Sequence, residues 1–297
     1  MPPNLTDLPE RRVPTRHARL LSLALTAAVL VGACHRTASA PSSPSTAPSA
    51  AAPAPVASSP ADARAVAPRL PDRLDDSTFW RMSREFSEPG GYFRSENFVS
   101  NEMGLQHVIG QLEQYAPAGG VYVGVGPEQN FTYLAALRPR IAFIVDIRRQ
   151  NLLQHLWYKA VFELSPTRAS FLARLFSRPA AANAPDGLSA DSLITLLNQA
   201  PVDLRMFEQT FAEVKTQLLQ RHRFTIDSSD LATLWYVDSI FVSSGPMLNY
   251  SSGVTGGGGF GRGGFSRMPT FAQVASATDE RGVNRGFLGS EASYGVV

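Results

Sequence analysis

The chain has 297 residues, of which 44% are hydrophobic, and its formal net charge is +2. This excess comes from residues 1–33, where four arginines outnumber two acidic residues, so the remainder of the chain is near neutral. We therefore expect neither a nucleic-acid partner nor a polybasic contact with a membrane. The single cysteine excludes an internal disulfide, which leaves an ordinary hydrophobic core to stabilise the fold.

The first 33 residues have the pattern of a secretory signal. Four arginines precede an uncharged, mostly apolar stretch at 20–33, which is shorter than the roughly 20 apolar residues that span a bilayer. The stretch ends in the letters VGAC, whose Cys34 resembles the lipid-bearing cysteine of bacterial lipoproteins. We expect 1–33 to be a signal peptide and lipid on Cys34 to hold the protein at the membrane. The alternatives are an ordinary signal before a free thiol, and a start codon placed too early before a cytosolic protein.

This interpretation predicts a cellular location and a domain organisation. The expected location is the cell envelope, on the outer-membrane or periplasmic side in a Gram-negative cell. Residues 34–69 are rich in alanine, proline and serine, a composition that buries too little apolar surface to offset its ordering entropy. We expect a disordered tether there, followed by a single folded domain over 70–297.

Two helices are predicted at the start of the folded domain. Residues 75–86 place large apolar side chains among charges, and the break at 89–91 contains proline and two glycines. Residues 101–115 carry an apolar stripe at helical spacing, which predicts a second helix.

A strand–helix–strand unit follows. Residues 121–125 and 141–147 are short apolar runs rich in branched side chains, and 128–137 between them has the length of one helix. Such a crossover predicts two parallel strands, which we expect to be buried on both faces.

The later part of the domain is predicted to be mainly helical. Ser165 followed by Pro166 has the pattern of a helix cap and first helical residue, and Asp203 has the pattern of a second cap. A further helix is expected at 229–242. The glycine-rich stretch 253–264 is expected to be a mobile surface loop.

The glycine turn after the first strand is the main candidate site. Gly124 and Gly126 lie where glycine lets the backbone approach a ligand and where a helix N-terminus favours negative charge. Asp146 follows twenty residues after Gly126, at the end of the second strand, where a carboxylate can accept hydrogen bonds from ribose hydroxyls. Gln129 takes the place of the third glycine of a dinucleotide site, so S-adenosylmethionine is favoured over NAD or FAD. The alternative is a structural turn beside a strand-end aspartate.

Two stretches carry a resemblance to a known family. Residues 79–102, which include the letters EPGGYFRSENF, and 119–164, which include VYVGVGPEQNF, look like a family of uncharacterised bacterial proteins. The core of that family resembles the S-adenosylmethionine-dependent methyltransferase fold, and the similarity covers most of 75–290. The resemblance implies an α/β, Rossmann-like parallel sheet flanked by helices and a ligand site, without a defined reaction.

The resemblance assigns the candidate cofactor residues one by one. Gly124, Gly126 and Asp146 match the glycine turn and ribose-binding acid of that fold, and Glu128 lies beside them at the helix start. Tyr122 departs from the pattern, since many methyltransferases have an acidic residue at that position.

A polar segment before the second helix is the candidate substrate site. Its candidate side chains are Arg94, Asn97, Asn101 and Glu102, which we expect to line a pocket over the strand ends. Alternatively, the segment is a surface loop whose Ser100 or Asn101 caps the next helix.

Two arginines follow the second strand. Arg148 and Arg149 are expected to be solvated, although a carboxylate or phosphate partner is the alternative.

The sequence leaves two classes of function open. It contains no zinc-protease, nucleophile-elbow or phosphate-loop motif, and a metal is not expected. One hypothesis is a methyltransferase-like enzyme whose catalytic residues are unknown, with Glu102, Glu128 or Tyr133 as candidate acid or base groups. The other is a non-catalytic envelope lipoprotein that uses the fold to bind a ligand or a protein. We favour a lipid-anchored, methyltransferase-like domain of unknown function with a nucleoside-binding fold. The expected address weighs against methyl transfer itself, because S-adenosylmethionine is made in the cytoplasm.

The end of the chain differs from the expected fold. After Gly264, neither 271–277 nor 286–297 has the pattern of a buried strand, whereas methyltransferase-like sheets usually have several more. We therefore expect an incomplete sheet, with truncation or a frameshift near Tyr294 and an unpaired apolar strand edge.

Overall fold

The structure, a computed structural model, describes residues 71–93, 95–116, 119–250 and 268–297. These residues lie within one compact unit, Ala65–Val297. Several predictions concern other parts of the chain and lie outside the described residues. They are the lipid-bearing Cys34, the tether 34–69, the candidate ligand residue Arg94 and the glycine-rich stretch 253–264.

Helices make up most of the described chain, and the strands form one small sheet. In chain order the elements are α1 (Asp76–Glu85), α2 (Leu105–Tyr115), β1 (Val121–Val125), α3 (Gln129–Leu137), β2 (Ile141–Val145), α4 (Arg149–Glu163), α5 (Arg168–Leu175), α6 (Ala190–Gln199), α7 (Leu204–Lys215), a π-helix (Thr216–Arg221), α8 (Ser228–Ser244), α9 (Phe271–Ser276) and α10 (Glu291–Tyr294).

The predicted strand–helix–strand unit is confirmed. Strands β1 and β2 pair in parallel, from Val121 opposite Ile141 to Val125 opposite Val145, and α3 makes the crossover. Among the described residues the sheet has only these two strands. The described residues therefore form a mixed α/β, mostly helical fold, and among them a full Rossmann-like sheet is not seen. The later apolar segments repeat at helical spacing, and they pack as helices.

The expectation that both faces of the strands are buried is wrong. Val121, Val123 and Val125 are each more than 60% exposed, and Val145 is half exposed. Helix α3 covers the other face, where Gly124 is buried. On this face, β1 thus presents a row of solvent-facing valines, whereas Ile141 and Phe143 of β2 are partly covered.

The core lies among the helices, with α4 at its centre. Trp157 and Tyr158 of α4 are fully buried, and Trp157 packs on Phe241 of α8 with ring centroids 5.0 Å apart. The sequence did not indicate α4, because polar Asn151 and Gln154 are buried along with its apolar residues, so it has no distinct polar face.

Helix starts follow local capping chemistry. Asp203 caps α7 as predicted, since its side chain accepts a hydrogen bond from the backbone N–H of Arg205. The predicted cap at Ser165 is wrong. Thr167 caps α5 instead, in a reciprocal capping box with Ser170. Helix α2 begins at Leu105 rather than near Asn101, because the preceding residues are held in a loop that is described below.

The last thirty residues pack against this core. Phe287, Leu288 and Tyr294 are buried, and the Tyr294 hydroxyl donates to the Ser165 carbonyl at 2.7 Å. The buried Arg168 pairs with Glu291 at 2.9 Å, which fixes α10 beside α5. Within the described ranges, no helix is both long and apolar enough to cross a membrane.

Candidate functional site

The glycine turn lies between β1 and α3, at the carboxyl end of the strand pair. Gly126 has a φ of +82°, a conformation that residues with a Cβ adopt only with strain. Its carbonyl accepts hydrogen bonds from His155 Nε2 at 2.8 Å and from Asn130 Nδ2 at 3.0 Å. The turn is therefore joined to α3 and α4 by contacts within the protein.

Asn130 organises the whole turn. Its Nδ2 lies within 2.7–3.2 Å of three successive carbonyls, those of Val125, Gly126 and Pro127. Its Oδ1 accepts a hydrogen bond from the Tyr122 hydroxyl at 2.8 Å. A Cβ on Gly124 would collide with Asn130 Oδ1 and lie 2.6 Å from the Tyr122 ring. Gly124 is thus required for an internal close approach, and the Tyr122 and Asn130 side chains fill the adjacent space.

Asp146 lies at the end of β2, as predicted, and its carboxylate is already engaged. Arg148 Nε donates to Oδ1 at 2.9 Å and Nη2 donates to Oδ2 at 2.7 Å, and both side chains are only 7% exposed. The backbone N–H of Arg148 adds a third bond to Oδ1 at 2.9 Å. The prediction that Arg148 is solvated is therefore wrong.

Arg149, the second arginine of the pair, also has a carboxylate partner. It pairs with Asp230 of α8, with Nε donating to Oδ1 at 2.8 Å. The Asp230 partner raises the pKa of Arg149. Its side chain is half exposed, so the alternative of a carboxylate partner describes it better than full solvation.

The polar segment before α2 covers the strand ends. Arg148 Nη1 donates to the backbone carbonyls of Ser95 and Glu96, and Gln154 Nε2 donates to the Phe98 carbonyl at 2.7 Å. Phe98 is fully buried. The segment thus packs down onto the end of the sheet, and its contacts are made largely through its backbone.

Glu128 is the most unusual ionisable group of the site. It is 2% exposed, and the Ser100 backbone N–H donates to its two oxygens at 2.9 and 3.1 Å. Burial raises the pKa of Glu128 to about 7, against the lowering effect of the Ser100 bond. Glu128 also lines a small cavity of about 20 Å³, together with Leu105, Thr132 and Phe287, which has room for about one water molecule.

The remaining predicted ligand residues are less closely grouped. Asn97 adopts a φ of +47°, and its Oδ1 is buried without a partner among the described residues. Asn101 and Glu102 are exposed. Burial, with smaller contributions from the nearby Tyr133 and Glu102, raises the pKa of Tyr122 to about 12, so these three groups share one neighbourhood. Tyr122 and Tyr133 stack with their centroids 6.0 Å apart.

The hydrogen-bond partners of the candidate residues were not predicted from the sequence. Asn130, His155 and Ser100 supply the hydrogen bonds that hold Gly126 and Glu128. One sign of such a partner is present in the sequence: Arg148 follows Asp146 by two residues, which is close enough for a local ion pair. Within the described part of the chain, no cluster of three or more His, Cys, Asp or Glu side chains could hold a metal ion.

Comparison with known proteins gives a partial match. Residues 97–238, just under half of the chain, match the family model described as a domain of unknown function, DUF7790. The matched residues include the glycine turn, Asp146, Arg148 and most of α8. No match is found among curated proteins.

Proposed function

We propose that the protein is a non-catalytic cell-envelope lipoprotein, anchored through lipid on Cys34, whose folded body binds an envelope ligand or a protein partner. The observation that supports this most is the Asp146–Arg148 ion pair, in which both carboxylate oxygens are engaged by a buried guanidinium. A ribose would have to displace this bidentate pair, whose charge-assisted bonds are among the stronger ones in proteins.

The glycine turn supports the same proposal. The position of Gly124 is explained by the Asn130 and Tyr122 side chains, and the Gly126 carbonyl has protein donors. The expected address adds to this argument, because a lipid-anchored domain outside the cytoplasm has no evident supply of S-adenosylmethionine.

A second candidate is an S-adenosylmethionine-dependent, methyltransferase-like enzyme. The observation that favours it is Glu128, whose pKa of about 7 is suited to general acid or base chemistry at neutral pH. It lies at the start of α3, directly after the glycine turn, as the resemblance implies. In the structure Glu128 is almost fully buried and Ser100 donates to its carboxylate, so catalysis would require the segment before α2 to move.

Calorimetry distinguishes the two candidates. The purified full chain is titrated with S-adenosylmethionine and with its demethylated product, with circular dichroism as the check on folding. The non-catalytic proposal expects no heat of binding from either compound. The enzyme candidate expects binding that Asp146→Asn weakens by about 1–3 kcal/mol, the cost of losing a charged acceptor. Binding with that loss would overturn the non-catalytic proposal.

The anchor needs its own experiment. Wild type and Cys34→Ala are expressed in a bacterial host, and the cells are fractionated into membrane and soluble parts. We expect the wild type in the membrane fraction and Cys34→Ala largely in the soluble fraction, because only the cysteine thiol can carry the lipid. Identical partitioning of both proteins into the soluble fraction would contradict the anchor.

A further inference from the structure

An open groove lies between α1 and the chain that leaves the π-helix, apart from the glycine turn. It has a volume of about 700 Å³, within the range of roughly 300–1,000 Å³ that is typical of small-molecule sites. Its lining residues are Asp76, Ser77, Trp80, Arg81, Arg84, Glu85, Arg221, His222 and Arg223. None of these residues belongs to the glycine turn or to the segment that covers it.

The groove has a surplus of positive charge. Arg81 pairs with Glu85 at 2.9 Å. Arg84, Arg221 and Arg223 have no carboxylate partner among the described residues. The other acidic residue of the lining, Asp76, lies 3.0 Å from His222 Nδ1. The three guanidinium groups without carboxylate partners therefore favour an anionic ligand.

Trp80 is an aromatic residue of the groove lining, and it is 9% exposed. Its ring stacks on Phe224 at 5.0 Å, and Phe224 stacks on His222 at 5.1 Å. His222 is held in turn by Glu163 at 2.7 Å. The Nε1–H of Trp80 is buried away from the groove surface, so the positively charged donors of the lining are its arginines.

The backbone at one wall is unusual. The π-helix Thr216–Arg221 leads directly into the groove, and π-helical turns are frequent at functional sites. Arg223 has a φ of +56°, which is strained for a residue with a long side chain. Arg221 and Arg223 flank the buried His222, so both their side chains lie on the solvent side.

We propose that this groove binds a phosphate group. The guanidinium groups of Arg84, Arg221 and Arg223 would donate hydrogen bonds to the phosphate oxygens. Several arginines favour phosphate over a single carboxylate, because a phosphate offers more acceptor oxygens and more charge to planar, bidentate donors. The phosphate can belong to a soluble ester or to a lipid headgroup. The inference requires neither the anchor nor any particular state of the glycine turn.

The experiment uses the full chain and three probes. Inorganic phosphate and glycerol 3-phosphate are titrated by calorimetry, and vesicles of phosphatidylglycerol are tested by cosedimentation. We expect at least one probe to bind, and we expect the double variant Arg84→Gln, Arg221→Gln to weaken that binding by about 10-fold or more. The matched control is Arg281→Gln, which removes an exposed arginine outside the groove and should stay within about twofold of wild type.

The outcomes distinguish a soluble phosphate ester from a lipid headgroup, and they define which results overturn the proposal. Binding of the soluble probes identifies a free phosphate ester, and binding of vesicles alone identifies a lipid headgroup. Absence of binding to all three probes overturns the proposal. It is also overturned if Arg281→Gln loses as much affinity as the double variant, or if the double variant binds as tightly as wild type. Circular dichroism of each variant checks the fold, and these exposed arginines are not needed for the core.

Discussion

Arg148 and Asp146 form a bidentate ion pair at the end of β2, with donor–acceptor distances of 2.9 and 2.7 Å and both side chains almost fully buried. Arg148 also reaches the carbonyls of Ser95 and Glu96, so one guanidinium joins the sheet to the segment that covers it. The residue that the sequence suggested as a ribose acceptor is therefore part of a structural joint.

This relationship makes Asp146 a stability residue. Asp146→Ala leaves the Arg148 guanidinium buried without its counter-charge, and removal of one partner of a buried pair typically costs about 3–5 kcal/mol. We expect a loss of that order in the free energy of unfolding, measured by urea denaturation.

Two variants serve as controls for this prediction. Arg81→Ala breaks the exposed pair with Glu85 and should cost less than about 1 kcal/mol. Replacing both partners, as Asp146→Leu with Arg148→Met, should cost less than Asp146→Ala alone, because no unpaired charge remains. A loss below about 1 kcal/mol for Asp146→Ala would show that the pair is not structural.

Gly124→Ala tests whether the glycine turn is built for the protein or for a ligand. The added Cβ meets Asn130 Oδ1 and the Tyr122 ring, so we expect a loss of about 1–3 kcal/mol from overpacking. Gly104→Ala, whose Cβ meets nothing within 4 Å, should be nearly neutral. Gly187→Ala has open space but a φ of +79°, so its loss of about 1–2 kcal/mol measures the cost of the backbone conformation alone. Thermal unfolding of all three compares these effects, and a neutral Gly124→Ala would favour a ligand role for the turn.

Glu128 should make stability fall as the pH rises. Its pKa is raised from the ordinary 4.5 to about 7, so between these values the folded state holds a proton that the unfolded state has lost. The free energy of unfolding should therefore decrease by about 1.4 kcal/mol per pH unit from this group between pH 4.5 and 7, and level off above. Below pH 4.5 both states are protonated and the group contributes no slope.

The variant Glu128→Gln isolates this contribution. Burial also raises the pKa of Asp238 and lowers the pKa of His155, and these groups affect the curve of every variant. The difference between wild type and Glu128→Gln, measured by urea denaturation at pH 5, 6, 7 and 8, removes them. We expect the variant to gain stability relative to wild type as the pH rises to 7. A pH-independent difference would mean that Glu128 is charged in the folded protein throughout this range.

The exposed valines of β1 should promote self-association. Val123 is 66% exposed in a row with Val121 and Val125, and contiguous apolar surface is a general cause of aggregation. We expect Val123→Thr to reduce the concentration dependence of the apparent mass in light scattering. Leu204→Thr, which changes an exposed apolar residue on α7, is the control and should have little effect. Equal behaviour of both variants and wild type would show that the strand face is inert.

The local parts of the fold were predictable from short-range patterns. The positions of α1, β1 and β2 follow from periodicity and from glycine and proline breaks, although β2 ends at Val145, two residues before its predicted end. The Asp203 cap follows from one side chain and its nearest backbone N–H groups. Such features depend on residues a few positions apart, so the sequence carries them directly.

The arrangement of the candidate site depends on long-range contacts, which the spacing of residues in the sequence does not reveal. The pattern of Gly124, Gly126 and Asp146 is compatible with a nucleoside site and with a closed structural joint, because both need glycine at a strand end and an acid on the next strand. Local patterns in the sequence were enough to place these groups at that end of the sheet. Their partners depend on tertiary packing, since the orientation of Arg148 and Asn130 follows from how α4 and the segment before α2 pack onto the strands. The same reason applies to the width of the sheet, because strand pairing is a choice among distant segments that local periodicity cannot make.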